Sequence, residues 1–354
     1  MAQVLNASNT SGVYIKLEAT PGTLVTPDGA DFVPTVGTPK FTPRGPGIIR
    51  RADVMTPYGG ELAAKTGGIG WDISITTELL WNFGTAETFS PDFTKLTSPL
   101  YALFRSCPFK ITGSGNDYKL ISQAIYDIAA TRTSGNAYST STFTIVYEET
   151  PTGKKYSASG CVCTPKFSFE AGGKLMVEWS IKGQWQPVGS VGSPGLVPTY
   201  SYTPPLVGTN CTLSTDVAPL SSATCALSKV SYDPGFALSD VLDAKQTYGM
   251  GIAMIALTSS PSIEIEVADL NEDTQPDWGT AQSNAVDTSG LLVTVVIAAS
   301  TSVVFCLDQP QLVQWPTPGE SNGYRNIGLK FAGIVNTSSA GSANGQGNIA
   351  FNSP

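Results

Sequence analysis

Two stretches of this chain carry the same succession of parts, and that recurrence limits the folds open to it more than any other feature. In the first, an alternating run at residues 36–43 (VGTPKFTP) leads into a long Gly/Pro-rich excursion, and a second alternating run, WDISITTEL, starts at Trp71. In the second, ALSKVSYDPG from Ala226 leads into FALSDVLDAKQTYGMGIAMIALTSSP and then SIEIEVADL. Alternation of apolar and polar residues is the period of a strand with one buried face, so each stretch reads as two strands joined by a long hairpin loop. Phe41 and Tyr232 stand 191 positions apart, as do Pro43 and Pro234, while Ile73 and Ile263, like Ile75 and Ile265, stand 190 apart. The spacing predicts two copies of one unit, with long loops at residues 43–70 and 234–261.

Later parts recur as well. STFTIVYEE from Ser141 precedes GCVCTPKFSFEAGGKLMVEWSIKGQW, with Gly172 and Gly173 at its turn; LLVTVVIAA from Leu291 precedes VVFCLDQPQLVQWPTPGESNGYRNIGLKFAGIV. Aligning Gly183 with Gly333, Trp179 with Leu329 and Val177 with Ile327 gives an offset of 150, so the first copy holds extra residues, placed between positions 81 and 140. That insertion contains TSPLYALFRSC, with Ser98 as expected N-cap, Pro99 in the first turn, and Leu100, Leu103, Phe104 and Cys107 on one stripe. One short helix is expected near residues 98–107. Residues 183–208 are rich in Gly and Pro without a period, which puts a boundary near residue 190. The expected fold is mainly β: a first domain at 1–190 with an N-terminal arm, and a second at 191–354, each long enough to bury its own core.

Composition removes several functions. Histidine is absent, which takes away the commonest general base and metal ligand, and with it Ser-His-Asp and Cys-His hydrolases. The 28 acidic residues leave room for a carboxylate-pair glycosidase. Glu264 and Glu266 share a strand face, yet that is also how a solvated face looks. The run DLNEDTQPD at 269–277 lacks calcium-loop spacing, and Gly67, Gly68 and Gly70 are not followed by the Lys-Ser or Lys-Thr of a phosphate loop. The six cysteines form no CxxC pair; Cys161 and Cys163, two apart on one strand, read as buried thiols, with structural disulfides as the alternative. No enzyme activity, cofactor or metal is expected. Net charge is −8, which leaves no basic footprint for nucleic acid and predicts that DNA is repelled. No apolar run reaches a membrane span, and MAQVLNASNT lacks a signal peptide's basic start and apolar middle, so a soluble protein made in a cytoplasm is expected. The second excursion is unusually apolar at Met250, Ile252, Met254, Ile255 and Leu257, which suits either a contact with a partner or a core strand. Arg50 and Arg51 on the first excursion meet either a neighbour's carboxylate or solvent.

The opening GVYIKLEATPGTLVTPDGADFVPTVGTPKFTPR resembles the start of siphophage tail tube proteins, with its strand, an E-x-x-x-G-T motif (Glu18, Gly22, Thr23), Ala30 and Asp31, and a strand ending at Pro43. PLYALFRSC is similar to that family's P-L-L-R-A-C segment, and CVCTPKFSFEAGGKLMVEWSIKG to its Gly-turn hairpin. The second half lacks the helix signature. The resemblance implies β-sandwich or partial-barrel domains whose inner sheets join into a ring, with rings stacked into a hollow tube. A chain with two such domains implies trimeric, pseudo-hexameric rings. The loops and the N-terminal arm would then reach neighbouring copies, with Arg50, Arg51, Met250, Ile252 and Met254 at contacts and Asp72, Glu78, Glu264 and Glu266 facing the bore. Glu170 and Glu178 are further lumen candidates. Implied partners are the chain itself, the tape measure protein, the tail terminator and tip proteins, and DNA passing through the bore, with no membrane insertion; the place is the virion tail, assembled in the host cytoplasm. A different class remains, a carbohydrate- or receptor-binding β-module with an exposed aromatic platform from Trp179, Trp185 and Trp315.

Overall fold

The computed structural model describes residues 11–45, 48–49, 65–66, 68–79, 100–107, 109–114, 117–122, 141–149, 152–192, 195–198, 207, 211–215, 226–256, 261–268, 291–298, 301–307, 310–321, 324–333 and 347–352. Strands dominate. In chain order the first half holds β1 (Gly12–Leu17), β2 (Phe32–Val33), β3 (Lys40–Arg44), β4 (Ile48–Ile49), β5 (Lys65–Thr66) and β6 (Gly70–Glu78). The helix α1 (Tyr101–Ser106) follows, then β7 (Lys110–Ser114), β8 (Asp117–Ser122), β9 (Phe143–Glu149), β10 (Lys154–Glu170), β11 (Met176–Trp185) and β12 (Gly189–Ser190). Then come β13 (Cys211–Thr215), β14 (Ala226–Asp233), β15 (Ala237–Ser239), β16 (Met254–Ala256) and β17 (Ser262–Ala268). The last five are β18 (Leu291–Ala298), β19 (Thr301–Leu307), β20 (Pro310–Ser321), β21 (Tyr324–Gly333) and β22 (Gly347–Asn352).

Both expected hairpins form, in the same register. Phe41 on β3 faces Ile73 on β6, and Tyr232 on β14 faces Ile263 on β17. The next pairs agree too: Ile75 faces Trp179 on β11, and Ile265 faces Leu329 on β21. Each hairpin's excursion carries a small two-stranded sheet of its own, β4 with β5 and β15 with β16. All these ladders are antiparallel, and their alternating burial fits a sheet with one face on the core.

β10 is the branch point of a twelve-stranded sheet. Its first half pairs with β9, and through β9 with β1 and β2; its second half pairs on that same side with β14. β11 accompanies it along the other side, with a register shift between Ser159 and Val162 where Gly160 takes φ 58°. One continuous surface results, in the order β3-β6-β11-β10-β14-β17-β21-β20. A six-stranded sheet, β13-β18-β19-β22-β8-β7, carries the hairpin β7–β8 from the first half against the last strand. Strands from both sides of residue 190 therefore share both large sheets.

The core lies between these layers. Val177, Trp179 and Ile181 of β11, Phe167 and Phe169 of β10, and Tyr232, Ile263, Ile265, Leu329 and Phe331 are buried with Phe143, Ile145, Phe305 and Ile349. α1 contributes Leu103 and Phe104, flanked by buried Leu100 and Cys107, so the expected stripe does face inward. Its start differs from expectation: Leu100 occupies the N-cap without a side-chain bond, and Ser98 and Pro99 lie outside the described residues. Phe104 meets Trp179 edge to face at 5.2 Å, and Trp179 Nε1 donates to Thr77 Oγ1 at 2.9 Å. Phe167 stands where the two halves meet, 6.2 Å from Tyr232 and 5.8 Å from Phe305 between ring centroids. Truncating so well enclosed a ring leaves a cavity, so Phe167→Ala is expected to lower unfolding free energy by about 3–5 kcal/mol, measured by urea denaturation.

Candidate functional site

The sheet has one face against the core and one open face, and strand alternation sorts the acids onto the open one. On β6, Trp71, Ile73, Ile75 and Thr77 are buried while Asp72 and Glu78 turn outward; on β17, Ile263, Ile265 and Val267 are buried while Glu264 and Glu266 turn outward. All four expected acids thus share a face. Cross-strand pairing lines up Glu78, Met176, Ser168, Ser231, Glu264, Lys330 and Gln314 in one row, and Glu170, Lys229 and Glu266 in another.

These acids do not stand as an unpaired negative wall. Lys330 Nζ reaches Glu264 at 2.6 Å, Lys229 reaches Glu170 at 3.5 Å, and Lys182 lies 3.9 Å from Asp72. Lys174 pairs with Glu78, and Asn326 Nδ2 donates to Glu266. The period that turns acids outward turns the facing lysines outward too, so these acids stand on a face of paired charges. The hydrogen bond from Lys330, helped by the fields of Lys330, Lys166 and Lys229, holds the Glu264 carboxyl below its ordinary value against partial desolvation. A shallow cavity of 370 Å³ opens there, lined by Lys229, Ser231, Glu264, Glu266, Gln314 and Lys330.

At the end of this face sits a buried cation that sequence reasoning missed. The Arg44 side chain is 6% exposed; its Nε donates to Trp71 O at 3.1 Å and lies 3.2 Å from Asp72, its Nη2 donates to Gly183 O at 3.4 Å, and its Nη1 pairs with Asp240. Lys182 Nζ also reaches Asp240, at 2.8 Å. Asp240 belongs to the second excursion, which folds back over the first half: Gln184 Nε2 donates to Met250 O at 3.2 Å and Ile69 N to Tyr248 O at 2.9 Å. The structure therefore buries Met250 within its own chain, and Ile252 lies near Gly22 and Gly160. Met254 places its backbone opposite Ser239, and Arg50 and Arg51 lie outside the described residues.

The E-x-x-x-G-T motif has a structural task. Glu18 is buried and its carboxylate accepts four bonds: from Gly22 N at 2.7 Å, Thr142 Oγ1 at 2.6 Å, Thr144 Oγ1 at 2.9 Å and Gly160 N at 2.8 Å. It ties the segment after β1 to the bend of β10. Cys107, Cys161 and Cys163 are buried thiols, Cys107 Sγ standing 3.5 Å from Cys163 Sγ, and burial pushes the Cys107 and Cys161 thiols well up. Trp179 is fully buried and Trp185 stacks on Trp71 at 4.2 Å, so neither offers an exposed platform. Among the described residues no three His, Cys, Asp or Glu side chains gather as metal ligands.

A paired-charge sheet face, outer strands β3 and β20 that pair on one side only among the described residues, and a motif spent on architecture describe a building block, and a family model described as phage tail tube protein matches residues 8–305. The chain belongs to that family. No curated protein matches it. Within the tail tube family a structural role accounts for the placement of Glu18, with Gly22 as one of its donors, at the bend of β10.

Two outcomes test this geometry. Glu18→Ala leaves four donors facing a void and is expected to cost about 2–4 kcal/mol of stability, read by thermal and chemical unfolding. In Lys330→Met the Glu264 carboxyl is expected to titrate closer to its ordinary value, seen by NMR. Because its folded pKa is depressed, the pair's stabilisation is present above the unfolded pKa and fades as pH falls through the folded one; the variant should lose that acid-side dependence.

Proposed function

We propose that this chain is a non-catalytic subunit of two tube domains, residues 1–190 and 191–354, that assembles head to tail into trimeric, pseudo-hexameric rings. Stacked rings form the hollow tail tube through which DNA passes. The observation that carries the reading is the joint inside the chain. β10 of the first half pairs with β14 of the second, Phe167 facing Tyr232 and Glu170 facing Lys229. β3 holds in the first half the place that β14 holds in the second, and β20 holds the place of β10's second half, since β3–β6–β11–β10 and β14–β17–β21–β20 share their cross-strand pairs. β20 of one chain set beside β3 of the next repeats the internal joint. A heterologous contact of this kind closes into a ring, and closure removes both edges.

In that ring the open face lines the bore, with Asp72, Glu78, Glu264 and Glu266 beside their lysines. Such a wall presents phosphates with no contiguous run of cations, and so no firm hold on passing DNA. The first excursion with Arg50 and Arg51, the N-terminal arm and the exposed tip of the second excursion at Leu242 and Tyr248 meet neighbouring copies. The tape measure protein, terminator and tip are the further partners, the virion tail is the place, and assembly occurs in the host cytoplasm. The binding-module reading loses ground because Trp179 and Trp185 pack inward.

The offset equivalents of Glu170 and Lys229 are Ser321 and Thr38, which in the ring face each other at non-hydrogen-bonded spacing suited to a disulfide. Thr38→Cys with Ser321→Cys, oxidised after assembly, is expected to yield covalent dimers and closed trimers on a non-reducing gel, with hollow tubes in electron micrographs. Monomers at every concentration, without cross-link, would overturn the reading.

A further inference from the structure

The joint inside the chain and the joint proposed between chains differ in their main-chain donors. Inside the chain, Ala171 N donates to Ser228 O at 2.8 Å, which sets the parity of the ladder: Phe167 and Phe169 turn their backbones toward β14. The hydrogen-bonded pairs are therefore Phe167–Tyr232 and Phe169–Val230, each able to exchange two bonds. The next such pair would be Pro165 with Pro234, neither of which has an N–H, and the register stops short of it.

Among the described residues β3 and β20 pair on one side only, and three other bonds fix which of their groups turn outward. Val36 N donates to Thr76 O and Leu79 N to Leu175 O, each at 2.7 Å, so even-numbered residues of β6 turn toward β3 and odd-numbered ones toward β11. Phe41, opposite Ile73, and Pro39 two residues before it thus turn their backbones outward. Gly333 N donates to Pro261 O at 2.8 Å, so odd-numbered residues of β21 turn toward β17; Pro318 and Glu320, opposite Ile327 and Arg325, turn outward on β20. The equivalents of Phe167–Tyr232 and Phe169–Val230 are then Pro318–Phe41 and Glu320–Pro39. Of the four main-chain nitrogens in these pairs, two belong to prolines and carry no hydrogen.

We propose that Pro39 and Pro318 remove from the matching contact between chains two of the four donors that the Phe167–Tyr232 and Phe169–Val230 pairs carry within a chain, and so raise the concentration at which chains join. This rests on the head-to-tail reading above. The same two prolines keep the edges of a lone chain from pairing with any strand that meets them, because an edge short of donors is a poor template. The partner is a second copy of this chain, whose Phe41 and Glu320 N–H groups supply the two bonds that remain.

The test restores the residue types of the internal joint, Val230 and Phe167, in the full-length chain: Pro39→Val and Pro318→Phe, singly and together. Sedimentation across a dilution series reads the assembly threshold, and electron microscopy reads the product. The double variant is expected to assemble at a roughly tenfold lower concentration, the single variants lying between, with each restored bond contributing on the order of a factor of three to five. Should the double variant fail to fold, as circular dichroism would reveal, Pro318→Thr at an exposed position is expected to lower the threshold about threefold by the same estimate. Unchanged thresholds in variants that form the same tubes as the parent, with the Thr38–Ser321 cross-link intact, overturn the role of the prolines and leave the ring standing. Absence of both assembly and cross-link in the parent overturns the ring and this inference with it.

Discussion

The architecture depends on one strand serving two neighbours. β10 runs from Lys154 to Glu170, roughly 55 Å if fully extended at about 3.3 Å per residue, too long to keep one partner along a whole side. It is bent near Gly160, where the backbone takes a left-handed φ of 58°, and where a side chain's Cβ would stand 2.9 Å from Gln184 Oε1. Glu18 fastens the bend by accepting the Gly160 N–H together with three donors from the β1 and β9 side. Before the bend β10 belongs with β9 and β1; after it the freed side takes β14. A single buried carboxylate thus helps decide that the second half joins the first by main-chain pairing and not by loose contact of two finished bodies.

The two sets of charges work at different depths and to different ends. The lysine–glutamate pairs on the open face are largely exposed, and pairs of that kind contribute about 0–1 kcal/mol each; what they set is the field of the surface. Arg44 is nearly enclosed, and removing either of its carboxylate partners would leave a buried charge short of compensation. That asymmetry suits its position, since Asp240 comes from the second excursion and Asp72 from the first hairpin. The buried cation registers one half's loop against the other half's sheet, while the exposed pairs leave the face nearly neutral.

Much of this was legible in the sequence because it follows from local period. The alternation in WDISITTEL and SIEIEVADL predicted both strands and their buried faces, and the matched spacing around Phe41 and Tyr232 predicted hairpins whose registers agree. The helix stripe of Leu100, Leu103, Phe104 and Cys107 was equally plain. What stayed hidden was long-range. Nothing in the pattern of β7 and β8 says that β8 pairs with β22 more than two hundred residues later, and a hairpin's own alternation is silent about which edge it extends. Arg44 drew no notice in the sequence because the carboxylate of Asp240 lies 196 positions away. The Glu18 motif was visible as a resemblance, but its four donors come from three separated segments.

If the proposed ring forms, joining two such units in one chain changes which contact governs assembly. The β10–β14 joint forms within the chain, where tethering supplies an effective concentration in the millimolar range, so it needs no restraint and can carry donors at Phe167, Phe169, Val230 and Tyr232. A joint between separate chains must overcome the loss of translational and rotational freedom, and it alone responds to how much protein is present. In the proposed ring the two edges would therefore be under different demands at the same structural position: the tethered edge gains from a full ladder, whereas the edge between chains must also avoid pairing with strands that are not its own. Val230 on the tethered edge and Pro39 on the free one, or Phe167 and Pro318 across from them, are the residue choices those two demands favour.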